Sequence, residues 1–453
     1  MKWFEKAFIY HIFPLGFNGV LECTDRNSSD NSDKFKKLKR NIDYIESLGA
    51  NTVFFGPVFE SSSHGYDVNN LFSIDKRLGS NEDFKDLCIY IKSKNMKIVL
   101  DAVFHHSGRE LEQFIDLKVN KENSKFKDWF YGVDFSNNNS FNDGFSYYGW
   151  NGDYSLVKYN LHNEEVRNYL LNAVEFWVKE FDIDGLRLDA SDCLESFFLE
   201  DLRSFTENLK EDFWLMGEVV HGDYRRIFSD KRLHSVTNYE CYKGMFSSFN
   251  DKNFYEIAYS LSRQFSKDGI YKNKHLYNFV DNHDVSRIFS NLNEKVHLFP
   301  LYILLFTIPG IPSLYYGSEF RECGIKHKDD NVLRPNIDMA WLKENIPCDI
   351  MDLIKKLAFI RKNDNNLIYG DYKELLISHE QFCFVRKIGK EETIIGINSS
   401  HTHKKVTIKT INNNSNRIFI DVLDNNSKVI EKNGNIEIRM NPTWGVILKE
   451  FKQ

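Results

Sequence analysis

The sequence lacks the long apolar runs and paired cysteines that are typical of membrane and secreted proteins. No stretch of its 453 residues approaches the roughly 18 uninterrupted apolar residues of a membrane span. Residues 1–7 lead directly into a strand-like segment, without the apolar stretch and cleavage site of an export signal. The seven cysteines are odd in number, scattered, and include no Cys-x-x-Cys pair, which indicates thiols in a reducing compartment. We therefore expect a cytoplasmic protein with no membrane partner.

An excess of positive charge is also missing. Lys and Arg total 59 against 65 for Asp and Glu, and the charges are interspersed without a basic stripe. A phosphate backbone requires such a stripe, so we expect no nucleic-acid partner. No glycine-rich phosphate loop accompanies the strand-like segments either. Aromatic residues are abundant instead, with 38 Phe and 22 Tyr, which suit a large core and also surfaces on which sugars stack.

Several apolar, strand-like runs end abruptly on an acidic residue. Residues 181–189 end with Arg187 and Asp189, which share one face of an extended strand because side chains alternate. A single Arg-x-Asp would be interpreted as a structural ion pair. The same design recurs at the ends of three further runs: Asp101, Glu218 and Asp284. Acids at successive strand ends predict one convergent acidic site.

Strand-like and helix-like patterns alternate through most of the chain. The spacing of apolar residues predicts helices over 33–48, 82–94, 164–181 and 352–361. Eight strand-like segments accompany them, centred on Tyr10, Val53, Val99, Leu188, Leu215, Val236, Phe279 and Leu314. Eight such units predict an α/β fold, a closed (β/α)8 TIM barrel whose functional site lies at the carboxyl ends of the strands.

Two regions depart from this alternation. Residues 107–155, after the third strand, are rich in turn formers and aromatics, which predicts a small inserted loop domain. Residues 371–453 read as short strands separated by Gly, Asn and Ser turns, which predicts a C-terminal all-β sandwich. Six strands are expected there, at 374–377, 382–385, 393–397, 405–408, 417–420 and 443–448. The barrel then comprises residues 1–106 and 156–370.

Three of the strand-end acids, Asp189, Glu218 and Asp284, suit cleavage of a glycosidic bond. In that reaction one carboxyl group protonates the leaving oxygen and another attacks or stabilises the sugar carbon. Five segments resemble signatures of the α-amylase family of glycoside hydrolases: 101–106, 156–160, 185–189, 217–220 and 280–284. The second of these is most similar to the neopullulanase form. Each motif alone is weak evidence, but together they follow the family's order over nearly the whole chain.

The resemblance implies roles for individual residues. Asp189 would be the nucleophile of a retaining mechanism, Glu218 the general acid/base and Asp284 a transition-state stabiliser. Five residues would bind substrate: Tyr66, His106, Arg187, His283 and Arg334. Tyr66 would stack beneath the sugar at the cleavage point, and Arg187 would orient the nucleophile and keep it ionised. The alternative interpretations are a tyrosine packed on the barrel rim, which would be preferred without the flanking motif, and two satisfied core histidines. For Arg334 the alternative is a surface salt bridge, and it stays open.

Two departures from the family bear on metal binding and assembly. His105 stands where calcium-binding members usually have asparagine, and Asp192-Cys193 replaces a usual Lys-His pair. Ca²⁺ prefers oxygen ligands and a neutral imidazole is a poor one, so we expect no cofactor and no structural calcium. Neopullulanase-like members usually dimerise through an extra N-terminal domain, whereas this barrel pattern begins at Tyr10. The oligomeric state stays open.

The leading hypothesis is an intracellular hydrolase of α-1,4 bonds in short maltodextrins, with α-1,6 cleavage left open. Tyr147, Tyr148 and Trp150 of the inserted segment are expected to form a stacking wall beside the sugars. One alternative is a transglycosylase or oligo-1,6-glucosidase on the same fold. Another is a non-catalytic, sugar-binding or scaffold protein, which the loss of any of the three acids would favour. All three acids are present.

Overall fold

The computed structural model describes residues 2–22, 34–327, 330–411, 417–424 and 427–451. Cys23 and Asp33, the first residue of a predicted helix, lie outside these ranges. The six described cysteines are free thiols, of which Cys88, Cys241 and Cys383 are buried. In the described part of the chain, no helix is both long and apolar enough to cross a membrane.

The first part of the barrel alternates strands with helices. Its strands are β1 (Ile9–Ile12), β2 (Thr52–Phe55), the hairpin β3 (Phe59–Ser61) and β4 (Val68–Ile74), and β5 (Lys97–Ala102). Its helices are α1 (Pro14–Phe17), α2 (Lys34–Ser47) and α3 (Asn81–Ser93). Helix α3 begins at Asn81, one residue before its predicted start, and the Ser80 hydroxyl caps it by accepting the backbone N–H of Asp83 at 3.2 Å.

The segment inserted after β5 forms a small unit on the barrel rim. It contains α4 (Glu112–Asn120) and three antiparallel strands, β6 (His106–Ser107), β7 (Gly149–Trp150) and β8 (Asp153–Lys158), in the order β6-β8-β7. Phe114 packs against the rings of Phe130, Phe145 and Tyr147 to form its core. Because β6 pairs with β8, the segment leaves and rejoins the barrel at neighbouring points.

The chain returns to the barrel with α5 (Glu164–Phe181), which has the predicted bounds. The following strands are β9 (Gly185–Leu188), β10 (Trp214–Gly217), β11 (Ser235–Val236), β12 (Tyr277–Asn278) and β13 (Ile311–Tyr315). The helices are α6 (Ser196–Leu209), α7 (Tyr239–Asn250), α8 (Tyr255–Phe265), α9 (Ile288–Asn291), α10 (Leu298–Thr307), α11 (Met339–Asn345), α12 (Asp349–Lys362) and α13 (Asn365–Tyr369). Helix α12 contains the helix predicted over 352–361.

Within the described residues, eight parallel strands form one sheet in the order β11-β10-β9-β5-β2-β1-β13-β12. A parallel bridge between Thr237 and Tyr277 brings its two edges together and nearly closes the barrel. The predicted (β/α)8 barrel is therefore confirmed. One predicted strand centre is wrong, because β12 ends at Asn278 and Phe279 lies just beyond it.

Both faces of the barrel strands are buried, as a parallel sheet covered by helices requires. One cluster fills the barrel interior: Ile9, Phe54, Val99, Trp214, Met216, Tyr277, Phe279 and Ile311. Alternate residues such as Leu186 and Leu188 belong to the larger core that includes the helices. The alternation therefore turns Arg187 toward the barrel axis, where it pairs in register with Asp101.

The C-terminal region is entirely β. Its strands are β14 (Asp371–Ile377), β15 (Gln381–Ile388), β16 (Glu391–Asn398), β17 (Lys404–Lys409), β18 (Ile418–Asp421), β19 (Lys428–Ile430), β20 (Asn435–Met440) and β21 (Trp444–Glu450). They form an antiparallel sheet in the order β14-β15-β16-β21-β18-β19 and a second antiparallel pair, β17-β20. Residues of both sheets share one apolar core, including Val385, Ile394, Ile408, Ile436 and Ile438. The expected all-β architecture is confirmed.

The sequence prediction missed β19 and β20. Strand β20 follows the predicted Asn433-Gly434 turn, and Ile436, Ile438 and Met440 are buried in alternation with exposed polar residues. That period of two is the signal of a half-buried strand and was available in the sequence. Strand β19 has only three residues, which is too short for a periodicity to register.

Candidate active site

A cleft of about 1190 Å³ opens at the carboxyl ends of the barrel strands. Its walls include Asp189, Glu218 and Asp284, which follow β9, β10 and β12 respectively. Leu188 pairs with Gly217 in the sheet, so Asp189 and Glu218 are the next residues along two neighbouring strands. Sheet register therefore brings the first two acids together, and the turn after β12 adds the third.

Arg187 lies beneath the cleft and links three carboxyl groups. Its Nη1 lies 2.8 Å from Asp101 Oδ1 and 2.8 Å from Asp189 Oδ1, and its Nη2 lies 2.9 Å from Glu218 Oε2. The guanidinium side chain is only 3% exposed. A planar guanidinium with several fixed donors can hold such an array in one geometry. Arg187 thus fixes Asp189 relative to Glu218.

Among the described residues, Glu218 is contacted through one carboxyl oxygen. Its Oε2 contacts Arg187 and also accepts the backbone N–H of Ala190 at 3.2 Å. Ala190 has a left-handed φ of 46°, an uncommon conformation for a residue with a Cβ, directly after Asp189. Burial raises the pKa of Glu218 to about 8, against the opposing effect of Arg187. The group is therefore protonated at neutral pH.

Asp284 is held on both sides. Its Oδ2 lies 2.8 Å from His283 Nε2, and its Oδ1 lies 3.2 Å from Arg334 Nη2. Burial alone would raise the pKa of Asp284, but His283, Arg334 and Arg187 outweigh it and hold that pKa well below its usual range. Asp284 is thus a persistent anion in the same cleft as a protonated glutamic acid.

Tyr66 connects Asp101 with His283. Its hydroxyl donates to Asp101 Oδ2 at 3.0 Å and lies 2.5 Å from His283 Nε2, and its ring stacks on the His283 ring. Burial raises the pKa of Asp101 to about 7 despite the adjacent Arg187. Asp101 was noted as a strand-end acid and the first residue of a signature, but its place between Arg187 and Tyr66 was not predicted. Tyr66 lines the cleft as expected of a sugar-contacting residue.

The other four residues predicted to bind substrate lie at two different depths. His106 and Arg334 line the cleft, whereas Arg187 and His283 lie below its surface and contact carboxyl groups. Nε2 of His106 is buried with no hydrogen-bond partner among the described residues. Burial lowers the pKa of His106 to about 4, so the ring is neutral. Arg334 does form ion pairs, with Asp284 and Asp330, but it is only 7% exposed, so these pairs are not on the surface.

The inserted segment supplies part of one wall. Trp150 lines the cleft, and Tyr148, 61% exposed, lies two residues before it with its ring against Tyr131. The predicted stacking role of Tyr147 is wrong. Packing against Phe114 and Phe145 holds Tyr147 in the core of the segment, where it is 3% exposed and its hydroxyl donates to the Tyr154 carbonyl at 2.6 Å.

Tyr239 and Lys326 are among the cleft residues that were not predicted. Tyr239 follows β11, and its hydroxyl accepts a hydrogen bond from Asn282 at 3.2 Å. Lys326 also lines the cleft, and its ammonium group donates to the backbone carbonyl of Asp284 at 2.7 Å. Position after a barrel strand could have singled out Tyr239. Lys326 comes from an irregular loop with no comparable signal.

The residue at the family's expected calcium position does not suit the ion. His105 Nδ1 lies 3.2 Å from His106 Nδ1, and the His105 ring packs edge-on against Trp150. Burial lowers the pKa of His105 to about 3, so its ring is a neutral nitrogen donor. Ca²⁺ requires oxygen ligands. His105 offers none from its side chain.

Comparison with known proteins agrees with this geometry. The family model described as "Alpha amylase, catalytic domain" matches residues 25–366. The "Intracellular maltogenic amylase" of Bacillus subtilis is 29% identical over 439 residues, covering 93% of this chain and 73% of that protein. The "Cyclomaltodextrinase" of Thermoanaerobacter pseudethanolicus is 26% identical over 466 residues, covering 99% of this chain and 78% of that protein.

Solved structures share the whole architecture. An α-amylase from Geobacillus thermoleovorans in complex with acarbose superposes with a TM-score of 0.83 at 23% identity, over 100% of both chains. The debranching enzyme from Nostoc punctiforme superposes with a TM-score of 0.81 at 26% identity, over 99% of this chain and 98% of that one. The family model spans well over half of the present sequence. The chain therefore belongs to the α-amylase family of glycoside hydrolases.

Proposed function

We propose that the protein is a retaining hydrolase of α-glucosidic bonds in short maltodextrins. In this proposal Asp189 is the nucleophile, Glu218 the general acid/base and Asp284 the electrostatic stabiliser. The observation that supports these roles is which oxygen of each carboxyl group already contacts another residue of the protein.

The engaged oxygens differ among the three acids. Asp189 contacts Arg187 through Oδ1, and no contact of its Oδ2 occurs among the described residues, so Oδ2 can attack a sugar carbon. Glu218 is engaged through Oε2, which leaves Oε1 to carry the acidic proton. Asp284 is engaged through both oxygens, which suits an anion that stabilises charge without forming a bond.

The first step follows from these positions. Glu218 transfers its proton to the glycosidic oxygen while the bond from that oxygen to C1 breaks and Asp189 Oδ2 bonds to C1. Positive charge that develops on the sugar ring is stabilised by Asp284, whose charge is maintained by His283 and Arg334. Glu218 becomes a carboxylate beside Arg187, so the charge produced by proton donation is stabilised as it forms.

The second step restores the enzyme. Water attacks C1 from the face that the leaving sugar vacated, and Glu218 Oε1 accepts the water proton. The bond to Asp189 breaks and returns the free carboxylate. Two inversions at C1 retain the anomeric configuration, and one water molecule is consumed for each bond cleaved. A retaining mechanism requires the carboxyl groups of Asp189 and Glu218 to lie about 5–5.5 Å apart.

The substrate class is supported by the cleft and by the relatives. The Tyr66 ring and the neutral His106 offer an apolar face and a hydrogen-bonding group for one sugar, and Trp150 offers a second aromatic surface. The names of the relatives, a maltogenic amylase and a cyclomaltodextrinase, favour α-glucan oligosaccharides over other sugars. A cytoplasmic location is part of the proposal, supported by the intracellular relative.

Product analysis tests the proposal. Purified enzyme is incubated with maltotriose, panose and pullulan, with Asp189→Asn as the inactive control. We expect maltotriose to yield maltose and glucose, and proton NMR at early times to show the α-anomer at the newly formed reducing end. Products longer than the substrate would favour the transglycosylase, and cleavage of panose but not maltotriose would favour the oligo-1,6-glucosidase. A folded protein that binds maltotriose without cleaving it would contradict catalysis.

A further inference from the structure

A group of side chains that can ligate a metal lies where the barrel meets the C-terminal β region. Glu294 and His297 lie in the turn between α9 and α10, and His401 lies in the loop between β16 and β17. One ligand atom from each side chain lies within 4.8 Å of the other two. None of the three lines the catalytic cleft, so the group is separate from the active site.

The spacing of the ligand atoms is close to that around a single ion. Glu294 Oε2 lies 3.9 Å from His297 Nε2 and is in direct contact with His401 Nε2. Neighbouring ligands of a tetrahedral zinc lie about 3.3 Å apart, because each Zn–N or Zn–O bond measures about 2.0–2.2 Å. The two observed spacings fall on either side of this value. Small rotations of the two exposed side chains would place all three atoms around one ion.

Local structure organises the group before any ion binds. Glu294 and His297 are three residues apart in one helical turn, so their side chains lie on the same side. The His297 ring is fixed because it is buried and its Nε2 lies 2.9 Å from the Ser399 carbonyl. Glu294 and His401 remain 30% and 60% exposed, which gives an ion access from solvent.

We propose that Glu294, His297 and His401 form a zinc site that joins the barrel to the C-terminal β region. Two imidazoles and one carboxylate suit zinc, whereas calcium and magnesium select oxygen ligands. Water or the Ser399 carbonyl would complete the tetrahedron. The ion replaces the proton between His297 Nε2 and that carbonyl, and the proton moves to Nδ1, which is buried without a partner among the described residues.

The nearby charges allow this arrangement. Lys252 Nζ lies 3.1 Å from Glu294 Oε1, the carboxylate oxygen that the site does not use. Without metal, His401 and Glu294 form a hydrogen-bonded pair in the same geometry. A zinc site and a metal-free pair can be distinguished, because only the zinc site responds to added zinc.

Zinc titration of three proteins tests the site. The wild type, His401→Ala and His403→Ala are freed of metal with a chelator, and calorimetry and thermal unfolding are then measured with and without zinc chloride. His401 is well exposed, so its truncation should leave the fold intact, which circular dichroism checks. His403 is an exposed histidine of the same loop and serves as the matched control.

We expect wild type and His403→Ala to bind one zinc and to unfold at a higher temperature when it is bound. His401→Ala should bind that zinc at least about tenfold more weakly and lose the thermal shift. Equal binding by wild type and His401→Ala would overturn the proposal, because zinc would then sit elsewhere, for example on exposed thiols. Absence of zinc binding by the wild type would also overturn it and leave the ion pair alone.

Discussion

The perturbed acidity of Glu218 gives a quantitative prediction about pH dependence. Burial raises its pKa from 4.5 to about 8. At pH 7 the protonated fraction is then about nine-tenths, whereas a group with the ordinary value would be protonated in roughly 0.3% of molecules. Burial thus increases the population of the proton-donating form roughly 300-fold at neutral pH. We expect kcat/KM for maltotriose to decline as the pH rises through about 8.

Replacement of Glu218 by Gln should remove both the acid and this decline. Loss of general acid catalysis should lower kcat/KM about 10²- to 10⁴-fold when the leaving group is a sugar that needs a proton. A 4-nitrophenyl maltoside releases a stable phenolate, so its first cleavage step should be affected much less. The assay compares the two substrates across pH for wild type and Glu218→Gln, with azide added as an anionic nucleophile that needs no base. Azide should yield an α-glycosyl azide from the aryl substrate in the variant.

Glu319 provides a matched control. It is also buried, burial raises its pKa to about 7, and it accepts a hydrogen bond from the Tyr10 hydroxyl at 2.6 Å, but it does not line the cleft. Glu319→Gln should therefore leave the decline near pH 8 in place. The reasoning is refuted if Glu319→Gln abolishes the decline while Glu218→Gln preserves it. Equal losses on both substrates in Glu218→Gln would also refute the acid role.

Three further predictions follow from the site. Asp189→Asn keeps the side-chain shape and removes the nucleophile, so kcat should fall by about 10³-fold or more with an unchanged melting temperature, and an active variant would contradict the assignment. Tyr148→Ala should raise KM between about twofold and tenfold for maltohexaose but not for maltotriose, because its exposed ring is two residues from Trp150 but outside the cleft lining, where only a longer glucan would contact it. Tyr255→Ala, which removes another exposed tyrosine, should change neither value. Chelation with EGTA should leave activity unchanged, and any fall in melting temperature should be reversed by zinc and not by calcium, since His105 is a poor calcium ligand; a fall that calcium reverses and zinc does not would show otherwise.

Much of the fold could be predicted because its signals are local. The spacing of apolar residues defined α5 at its observed bounds, and acids at the ends of apolar runs marked three residues of the cleft. Both patterns arise from the geometry of a single element, which turns its side chains at a fixed period toward core or solvent. The order of the signature segments indicated the family to which the chain belongs.

Short strands, and the directions of side chains in irregular segments, were harder to predict from the sequence. Tyr147 and Tyr148 are adjacent aromatics in a turn-rich stretch, and only the packing around Phe114 decided which ring is buried. Strand β19 is defined by its pairing with β18 and by no pattern of its own. Preferences within a few residues are weak in such places, so contacts made elsewhere in the chain decide the outcome.

Local periodicity and residue identity were enough to define the barrel, the positions of its strand-end acids and their chemical type. The tertiary structure decided which atoms meet. It placed Arg187 between Asp189 and Glu218, engaged both oxygens of Asp284, and brought His401 to Glu294. Distances between residues far apart in the chain depend on sheet register and domain packing, and burial sets the acidity of each group only after that packing is complete.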